Sequence, residues 1–554
     1  MVSEHKVATR SFRNRPPAIA LPVAHLLALA PLDVWVRMLL RGDRGSRGVH
    51  PRYWLRLLGI GFTSLVGTMC STPERLGYFI ARLLSGGDRE RFEHPPGVLI
   101  VVGYYRSGTT HAHNLLACDP SSVTPRWYQA LLGQGYWLSW GITRFLLVPF
   151  LGSSRPQDGV GFGPMWPAED DFALAGWGAS STLPGRLIFP SRWEHWSRYN
   201  TLEECSDAER AKWRRTVAGF AQKVTRSKPN AMLILKTPSH GAHIAQLAEV
   251  FGEHARFLHV ARDPTKVIES NLKMHDALAE HLLQDPLDPT ELRARIVREY
   301  HEIEHATMCQ AQSLDEGRIG YMTHEELIKN PLGELSRALG SINMTLSDQH
   351  QRAIASYLDE LGPYHRPPHQ PIDLGQPSED EADSIEQIRA LRTHDRPSAQ
   401  IIPLPEVQPK PPVRIGRGLL GAMVTAALWA ALWIGIVWVI KQIDPTIKPR
   451  LDQLVWIGGS VIGLVAYRCA GGGGRLLGVT CAVLTLVVFL GVSFPVTVIN
   501  WNFAADGPRS AFLYHNTKGA LHGVLAVSSI AFAILGMLTA MRHAGDTGPR
   551  APGL

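Results

Sequence analysis

An uncharged stretch near the C-terminus constrains this chain most. Residues 418–440 read GLLGAMVTAALWAALWIGIVWVI without a charged side chain, and Arg417 and Lys441 stand at its two edges. A helix of about 20 apolar residues matches the hydrocarbon thickness of a bilayer, so this stretch predicts a transmembrane helix. A buried helix of a soluble domain is the weaker interpretation, because such helices rarely lack charge over this length.

Three further stretches of the same region predict membrane segments. Residues 476–499 and 519–541 resemble the first stretch in length and apolarity, whereas residues 453–467 are fewer and rich in glycine. Charged residues bracket that short stretch, so spanning there requires snorkelling flanks or a locally thin bilayer. We expect a transmembrane region of about four helices at 418–541, followed by a tail at 542–554. Three helices and a re-entrant segment are the alternative.

Basic residues in the predicted loops favour one orientation. Seven lysines and arginines fall on the side of the N-terminal domain and five on the opposite side. Because basic loops tend to stay in the cytoplasm, we expect a multi-pass protein of a bacterial-type inner membrane with a cytoplasmic N-terminal domain. The six cysteines are scattered and include no CxxC pair, as in a reduced protein without a disulfide scaffold or zinc site.

The remaining sequence has the composition of a folded protein. Of 554 residues, 45% are hydrophobic and 19% charged, which excludes a mainly disordered chain and leaves room for two or more domains. Residues 1–94 place apolar side chains at helical spacing with arginines between them, and they contain no clean signal-peptide core. This pattern predicts amphipathic helices that either lie in the membrane interface or pack on the globular domain.

Between these ends, short β-branched runs alternate with helical patterns. Residues 98–102, 232–235 and 257–261 are apolar runs, each followed by turn residues and an amphipathic helical sequence. This order is typical of a buried parallel sheet in an α/β fold. We therefore predict an α/β domain at 95–375, joined to the all-α transmembrane region by an acidic and proline-rich linker at 376–417.

The first of these strands is followed by a glycine-bearing turn. Gly103 and Gly108 have the spacing of a phosphate-binding P-loop, and the turn opens a helix. In this context backbone N–H groups and the helix N-terminus bind an anion, so we expect a P-loop-like parallel sheet sandwiched by helices. Thr109 stands where an ATPase has its lysine, so the loop suits another anhydride better than a magnesium nucleotide.

Three motifs together resemble the sulfotransferases that use 3′-phosphoadenosine 5′-phosphosulfate (PAPS), in the branch with R-S-G-T-T. RSGTTH at 106–111 is similar to their 5′-phosphosulfate loop, KTPSH at 236–240 to their K-[ST]-P-x-H segment, and RDPTKVIES at 262–270 to their 3′-phosphate motif. The run YMTHEELIKNP at 321–331 also resembles a family element, with His324 displacing the usual acidic register. The resemblance covers most of residues 98–270 and none of the C-terminal tail.

The resemblance implies a PAPS-dependent sulfotransferase that holds both anionic ends of its sulfuryl donor without a metal. Parallel sheets bind such ligands at the carboxyl edge of their strands. The glycine loop is expected to contact the 5′ end, and an arginine fork with a serine hydroxyl the 3′-phosphate. The expected donor-binding residues are Arg106, Ser107, Gly108, Thr109, Thr110, His111, Arg262 and Ser270.

Catalysis of sulfuryl transfer is expected to rest on positioning and charge stabilisation, as in phosphoryl transfer. Arg106 and Lys236 are predicted to stabilise the negative charge that builds on the oxygen between sulfur and phosphorus. Two residues remain as candidates for the general base. One is His240, because imidazoles titrate near neutrality. The other is Glu169, in the stretch PAEDDFAL at 167–174, which resembles P-x-E-D-E-F-A-L of this branch.

Aromatic side chains crowd the sequence between the first two motifs. They are Trp127, Tyr128, Tyr136, Trp137, Trp140, Trp166 and Trp177. They predict an apolar pocket for a hydrophobic or lipid-like alcohol, with ordinary core packing as the alternative. The predicted partners are therefore a lipid bilayer and a hydroxyl-bearing acceptor, not nucleic acid.

Two alternatives to a membrane-bound sulfotransferase are weaker. A membrane-anchored P-loop-like nucleotide-binding or scaffold protein without activity would be expected to lose some of the key polar residues, yet Arg106, Lys236, Arg262 and Ser270 are all present. A nucleotide kinase or hydrolase is disfavoured by Thr109, and by a strand at 257–261 that ends next to a basic residue.

Overall fold

The computed structural model describes residues 25–42, 48–84, 95–139, 162–362, 373–392, 402–405, 414–443, 453–470, 475–502 and 537. The chain divides into two compact units. The first contains the sheet with the helices up to residue 391, and the second contains the C-terminal helices.

A parallel five-stranded sheet forms the centre of the first unit. Its strands are β1 (Val98–Val102), β2 (Ser122–Val123), β3 (Met232–Lys236), β4 (Ala255–Ala261) and β5 (Ile319–Thr323). The order β2-β3-β1-β4-β5 makes the strand before the glycine loop central, and all five residues of β1 are buried. Strands covered on both faces read as continuous apolar runs. The predicted α/β fold with a parallel sheet is confirmed, and the three predicted strands are β1, β3 and β4.

Helices precede, connect and follow these strands. They are α1 (Leu32–Leu40), α2 (Trp54–Leu84), α3 (Thr109–Leu116), α4 (Trp127–Leu131), α5 (Asp171–Gly178), α6 (Leu183–Leu187), α7 (Trp193–Ser197), α8 (Asp207–Thr225), α9 (Ile244–Phe251), α10 (Pro264–Leu278), α11 (Pro289–Ala311), α12 (His324–Lys329), α13 (Pro331–Gly340), α14 (Asp348–Leu361) and α15 (Glu381–Leu391). Short 3-10 helices lie at Pro51–Tyr53, Pro190–Arg192, Pro238–His243, Gly252–His254 and Ala279–His281.

Local sequence starts the helix that follows β4. The Asp263 side chain accepts a hydrogen bond of 3.1 Å from the backbone N–H of Lys266, and Pro264 is the first residue of α10. The N-cap carboxylate accepts a hydrogen bond from one of the free N–H groups at the start of the helix. Proline suits the first helical position because it has no N–H group that would need an acceptor there. The start of α10 therefore follows from the sequence, and it places Arg262 directly before the helix.

A buried polar cluster supports the glycine loop from behind. Glu299 forms an ion pair with Arg186 and accepts a hydrogen bond of 2.9 Å from Trp193 Nε1. The Arg186 guanidinium lies 3.9 Å from the ring centre of Tyr105, and Tyr104 Oη donates to Glu299 at 3.3 Å. Because buried charges that are paired and hydrogen-bonded hold a fixed geometry, this cluster anchors the start of the loop.

The stretch predicted as a linker, 376–417, contains the folded helix α15. Arg293 of α11 donates to the Glu381 carboxylate from Nε and Nη2 at 2.8 and 2.7 Å. Ile388 of α15 is fully buried against the same helix. Acidic composition alone predicts a solvated linker, because the arginine that neutralises Glu381 lies far away in the sequence. The first unit thus includes α15.

The amphipathic pattern predicted within residues 1–94 appears as one long helix. Helix α2 comprises 31 residues and has Pro73 inside it. Its stretch Pro51–Ile80 is one of two in the described part of the chain that are long and apolar enough to cross a membrane.

Three helices of the second unit pack against one another. They are α16 (Ile415–Ile443), α17 (Gln453–Ala470) and α18 (Arg475–Asn502). Ala422, Ala466 and Cys481 are buried between them, and such small residues allow close approach of apolar helices. Ile415–Ile440 is the second stretch able to cross a membrane, and Leu476–Leu490 is apolar but shorter. The predicted segment 519–541 lies outside the described residues except for Met537, so the number and orientation of spans stay predictions.

Candidate active site

The loop between β1 and α3 adopts a conformation that depends on two glycines. Gly103 has a φ of 135° and Gly108 a φ of 99°, both in the region that side chains disfavour. A Cβ atom on Gly103 would lie 2.5 Å from the carbonyl oxygen of Val260. One on Gly108 would lie 2.3 Å from Nδ1 of His324. The glycines therefore permit the turn and the close approach of a strand and a histidine to the loop.

The loop ends at the N-terminus of α3. Ser107 Oγ donates to the carbonyl oxygen of Tyr104 at 2.7 Å, which closes the turn. The first N–H groups of a helix have no acceptor within the helix, so those of Thr109 and Thr110 are available to an anion at the loop. This is the geometry expected from the P-loop spacing.

Three predicted donor-binding residues meet beside this loop. Arg106 Nε donates to Ser270 Oγ of α10 at 3.0 Å, and Arg262 Nη1 donates to the carbonyl oxygen of Arg106 at 3.1 Å. Arg392, just past α15, donates to the carbonyl oxygen of Arg262 at 2.7 Å. Two guanidinium groups and a hydroxyl at one sheet edge are donors suited to a phosphate group.

Lys236, the last residue of β3, lies on the other side of the loop. Its Nζ atom donates to Thr110 Oγ1 at 3.3 Å and forms an ion pair with Glu169. The Lys236 side chain is 2% exposed and that of Glu169 is 16% exposed. An ammonium group, a carboxylate and a hydroxyl thus converge at the start of α3, with the carboxylate partly open to solvent.

The same two segments also form a sealed pair, in which Asp170, next to Glu169, contacts His240, four residues after Lys236. His240 Nε2 lies 2.6 Å from Asp170 Oδ2, and Thr237 Oγ1 donates to Asp170 Oδ1 at 3.0 Å. His240 Nδ1 faces His243 Nδ1 at 3.4 Å. Burial opposes ionisation of Asp170, but His240 and Thr237 together lower its pKa below the ordinary value. With Asp170 at Nε2 and His243 at Nδ1, both ring nitrogens of His240 contact buried groups.

Hydrogen bonds on both sides hold the segment that carries Glu169. The Ala168 N–H donates to the carbonyl oxygen of Pro125 at 2.9 Å, and the Asp171 N–H donates to Thr237 Oγ1 at 3.1 Å. Since Thr237 follows Lys236 directly, the same contact that positions Asp171 also sets Glu169 opposite Lys236. The sequence could not show this, because the two segments are far apart in the chain.

His324 is a site residue that sequence reasoning did not select. It is the first residue of α12, directly after β5, and its Nδ1 atom has no hydrogen-bond partner among the described residues. Burial and the charges of Arg262 and Arg106 lower the pKa of His324 to about 4. Burial and His324 lower the pKa of His111, on the neighbouring turn of α3, to about 4 as well. The position of His324 at a parallel strand's carboxyl end was the available signal.

Three of the seven aromatic residues predicted to form an acceptor pocket are packed in the core, whereas Trp137 is 43% exposed. Trp127, Tyr136 and Trp166 are buried. The Trp127 ring has the Phe162 and Phe172 rings at centroid distances of 4.8 and 4.9 Å. Trp140 lies outside the described residues. These contacts fit the core-packing alternative for the buried members.

Comparison with known proteins identifies the region that contains this site. Residues 96–348 match the model of a family described as the sulfotransferase family. Two relatives, the omega-hydroxy-beta-dihydromenaquinone-9 sulfotransferases Stf3 of Mycobacterium bovis and Mycobacterium tuberculosis, are each 28% identical over 336 residues. That similarity covers 60% of this chain and 82% of each relative.

Two solved structures are similar to part of the chain. Sulfotransferase STF1 from Mycobacterium tuberculosis is 16% identical with a TM-score of 0.43, covering 60% of this chain and 88% of that one. Sulfotransferase STF9 from Mycobacterium avium is 18% identical with a TM-score of 0.44, covering 65% and 95%.

Proposed function

We propose that this enzyme, whose residues 96–348 match the sulfotransferase family, moves a sulfuryl group from PAPS to the hydroxyl group of a lipid-like alcohol. One observation carries this proposal. Lys236 Nζ lies 3.3 Å from Thr110 Oγ1 and forms an ion pair with Glu169, beside a glycine loop built to accept an anion. A cation and a carboxylate at one point are what charge stabilisation and proton removal require.

The residues around the loop fit a donor with two anionic ends. PAPS, when bound, supplies the sulfuryl group and a phosphate leaving group. The N–H groups at the start of α3 and the Thr110 hydroxyl suit the 5′ end. Arg262 and Ser270 suit the 3′-phosphate, and the hydrogen bond from Arg106 to Ser270 gives Arg106 a role on that side as well.

Lys236 and Glu169 are proposed to carry the transfer step. The Lys236 ammonium stabilises the negative charge that develops on the leaving oxygen, since it lies at the loop that holds the 5′ end. Glu169 accepts the proton of the acceptor hydroxyl. His240 is proposed as a positioning residue, because its two ring nitrogens face Asp170 and His243 and it fixes the segment that carries Glu169.

The acceptor is proposed to be lipid-soluble, and two observations support this. The Stf3 relatives are named for an omega-hydroxylated dihydromenaquinone as the molecule they act on. The chain also contains Ile415–Ile440, an apolar helix of bilayer length. We further propose a multi-pass membrane protein whose catalytic domain faces the cytoplasm, supported by the seven to five distribution of basic residues in the predicted loops.

Calorimetry tests the donor. We expect the full chain to bind adenosine 3′,5′-bisphosphate, the product form of the donor, and to bind magnesium ATP at least tenfold more weakly. Arg262→Ala is expected to weaken bisphosphate binding about 10-fold to 100-fold, because a charge-assisted fork is lost. Binding of magnesium ATP without measurable affinity for the bisphosphate would instead support the nucleotide-binding alternative.

Transfer of radiolabelled sulfate tests the acceptor. The enzyme is incubated with labelled PAPS and either a total lipid extract or a panel of water-soluble sugars and peptides. We expect label in the lipid fraction. Label on the soluble compounds alone would retain the sulfotransferase reaction but contradict a lipid-like acceptor.

A further inference from the structure

Helix α2 shows the reverse of the amphipathic pattern of a soluble domain. The face that packs on the first unit holds Arg56, Ser64, Ser71 and Glu74, all buried. Gly67 lies on the same face, so close to Leu29 that a Cβ atom would meet its carbonyl oxygen at 2.0 Å. Ile60 is buried on the same face. The protein-facing side of α2 is otherwise small or polar.

The opposite face of α2 is apolar and exposed. Its residues recur at helical spacing along the whole element. They are Trp54, Leu55, Leu58, Phe62, Leu65, Met69, Leu76, Phe79 and Ile80. Phe62 is 71% exposed, Met69 is 68% exposed and Phe79 is 60% exposed. On α1, which contacts α2, Leu32, Val36 and Leu40 are exposed too. We call these exposed residues of α1 and α2 the outward face.

A helix that turns its apolar face away from the protein and its polar face towards the protein is typical of contact with the hydrocarbon region of a membrane. In water, a surface helix buries its apolar stripe and exposes its polar one. Monomeric soluble proteins rarely leave a long contiguous apolar patch uncovered. Helices that contact lipid instead pack against protein through small residues, as Ser64, Gly67 and Ser71 do here.

The contacts of α2 with the catalytic unit determine how it can meet a bilayer. Near the start of the helix Arg56 donates to the carbonyl oxygen of Leu282 at 2.6 Å, and Glu74, about two thirds of the way along it, forms an ion pair with Lys223 of α8. Ser64 Oγ donates to the carbonyl oxygen of Ala30 between them, at 2.7 Å. A helix attached to a charged globular unit at Arg56, Ser64 and Glu74 cannot cross a membrane without carrying that unit into the lipid.

We propose that α2 lies in the plane of the membrane, with its outward face in the acyl region of an anionic bilayer and the catalytic unit above it. The charge of this part of the chain is complementary to such a surface. Residues 1–94 contain 14 lysines and arginines and 7 aspartates and glutamates, so their net charge of +7 equals that of the whole chain. Basic segments with an apolar helix face bind anionic membranes through electrostatic attraction and through burial of the apolar face.

The interfacial position of α2 has a consequence for access to the acceptor, and this consequence rests on the proposed function. A catalytic unit held against the membrane surface would meet a lipid alcohol without extracting it into water. The position of α2 itself follows from its two faces alone and does not depend on the reaction.

Photolabelling of the full chain tests the position of α2. The protein is reconstituted in phosphatidylcholine–phosphatidylglycerol vesicles that contain a phospholipid with a photoreactive group on its acyl chain, and adducts are mapped by peptide mass spectrometry. We expect adducts on the outward face of α2 and none on α14, a helix of the same unit. Adducts on α16 with none on α2 would overturn the proposal.

A charge-matched pair of variants provides the control. The triple variant Leu58→Glu, Phe62→Glu, Leu65→Glu places three negative charges on the outward face. Gln349→Glu with Arg352→Glu changes the net charge by the same amount on exposed positions of α14. We expect adducts on α2 to fall at least tenfold in the triple variant and to stay within twofold in the control, with equal melting temperatures.

A second copy of the chain is the competing occupant of the outward face. It would give a detergent-solubilised dimer that the triple variant dissociates, together with unlabelled α2 in vesicles, and that result would overturn the proposal. Activity separates this inference from the proposed function. Labelled α2 in a protein that sulfates no acceptor would contradict the reaction and leave the interfacial helix standing.

Discussion

Two acid–base pairs in this enzyme come from the same two segments and have different surroundings. Glu169 pairs with Lys236, and the next acidic residue, Asp170, pairs with His240. The first pair touches the glycine loop through Thr110, and its carboxylate is 16% exposed. In the second pair neither side chain is more than 2% exposed.

This difference separates chemistry from support. A group that exchanges a proton with a substrate has to reach it, whereas a sealed pair with its polar atoms satisfied holds the backbone in place. We call Glu169 with Lys236 the open pair and Asp170 with His240 the sealed pair. Because Asp170 and Thr237 connect the two segments, the sealed pair holds Glu169 opposite Lys236. The predictions below test this division, starting with the largest effect.

The open pair should lose most activity when its cation is removed. We expect Lys236→Met to lower kcat about 10³-fold, the size of effect seen when one charge-stabilising donor is lost from an active site. Calorimetric affinity for adenosine 3′,5′-bisphosphate should fall much less, by about tenfold, since the 5′-phosphate loses one cation while the 3′-phosphate keeps its other contacts. Lys236→Arg is the matched control for charge, and wild-type kcat in Lys236→Met would remove the open pair from catalysis.

The two candidate bases should differ in their pH profiles. We expect Glu169→Gln to lower kcat about 10²-fold and to abolish the acidic limb of the pH–rate profile, because a glutamine cannot accept the proton. His240→Gln should retain that limb, with kcat of the folded protein within about tenfold of wild type. Loss of the limb in His240→Gln and its persistence in Glu169→Gln would reverse the assignment.

The sealed pair should affect stability more than rate. We expect Asp170→Asn to lower the free energy of unfolding by about 3 kcal/mol, since one partner of a buried pair is left uncompensated. Glu169→Gln should change it by less than about 1 kcal/mol, as for a more open pair.

The effect of Asp170→Asn should depend on pH in a defined direction. The pKa of Asp170 is lowered by folding, so its contribution is complete above the unfolded value of about 4 and is lost as pH falls towards the folded pKa. Denaturant unfolding of both proteins at neutral pH and at successively more acidic pH measures this. A difference that grows as the solution is acidified would contradict the paired state of Asp170.

His324 should give the smallest effect, on donor binding alone. Its pKa is about 4 in the free protein, and a bound phosphate nearby would raise it. Binding would then take up protons, so affinity for the bisphosphate should increase as pH falls from 7.5 towards 5.5. We expect His324→Gln to lose this increase and to bind about threefold more weakly at the lower pH, with equal affinity at pH 7.5. Parallel pH dependences in the two proteins would exclude a contact with His324.

Much of the fold could be predicted because its signals are local. Residues 98–102 form a buried strand for the reason the apolar run indicates, and Asp263 with Pro264 starts α10 through contacts within a few residues. The two loop glycines have the positive φ values that the P-loop spacing requires. The hydrogen bond between Arg106 and Ser270 was not predicted. It depends on the direction of the Arg106 side chain, which is set by the left-handed backbone conformation of Arg106 in the loop.

Helix α15 and His324 show why other features escaped prediction. The acidic sequence of α15 reads as solvated until Arg293 is placed beside Glu381. His324 reads as a departure from a motif until β5 brings it over Gly108. In both cases a residue acquires its partner through the sheet order, which a single sequence does not contain.

By itself, the amino-acid sequence determined the parallel α/β architecture, the glycine loop and the apolar C-terminal stretch, because periodicity, glycine spacing and missing charge act over a few neighbouring residues. Only the tertiary structure decided which acidic residue faces the loop and which is sealed beside His240, and which face of α2 is turned outward. Glu169 and Asp170 are adjacent and chemically alike. Their surroundings differ because Lys236 ends β3 at the sheet edge, whereas His240 lies in the buried 3-10 helix that follows.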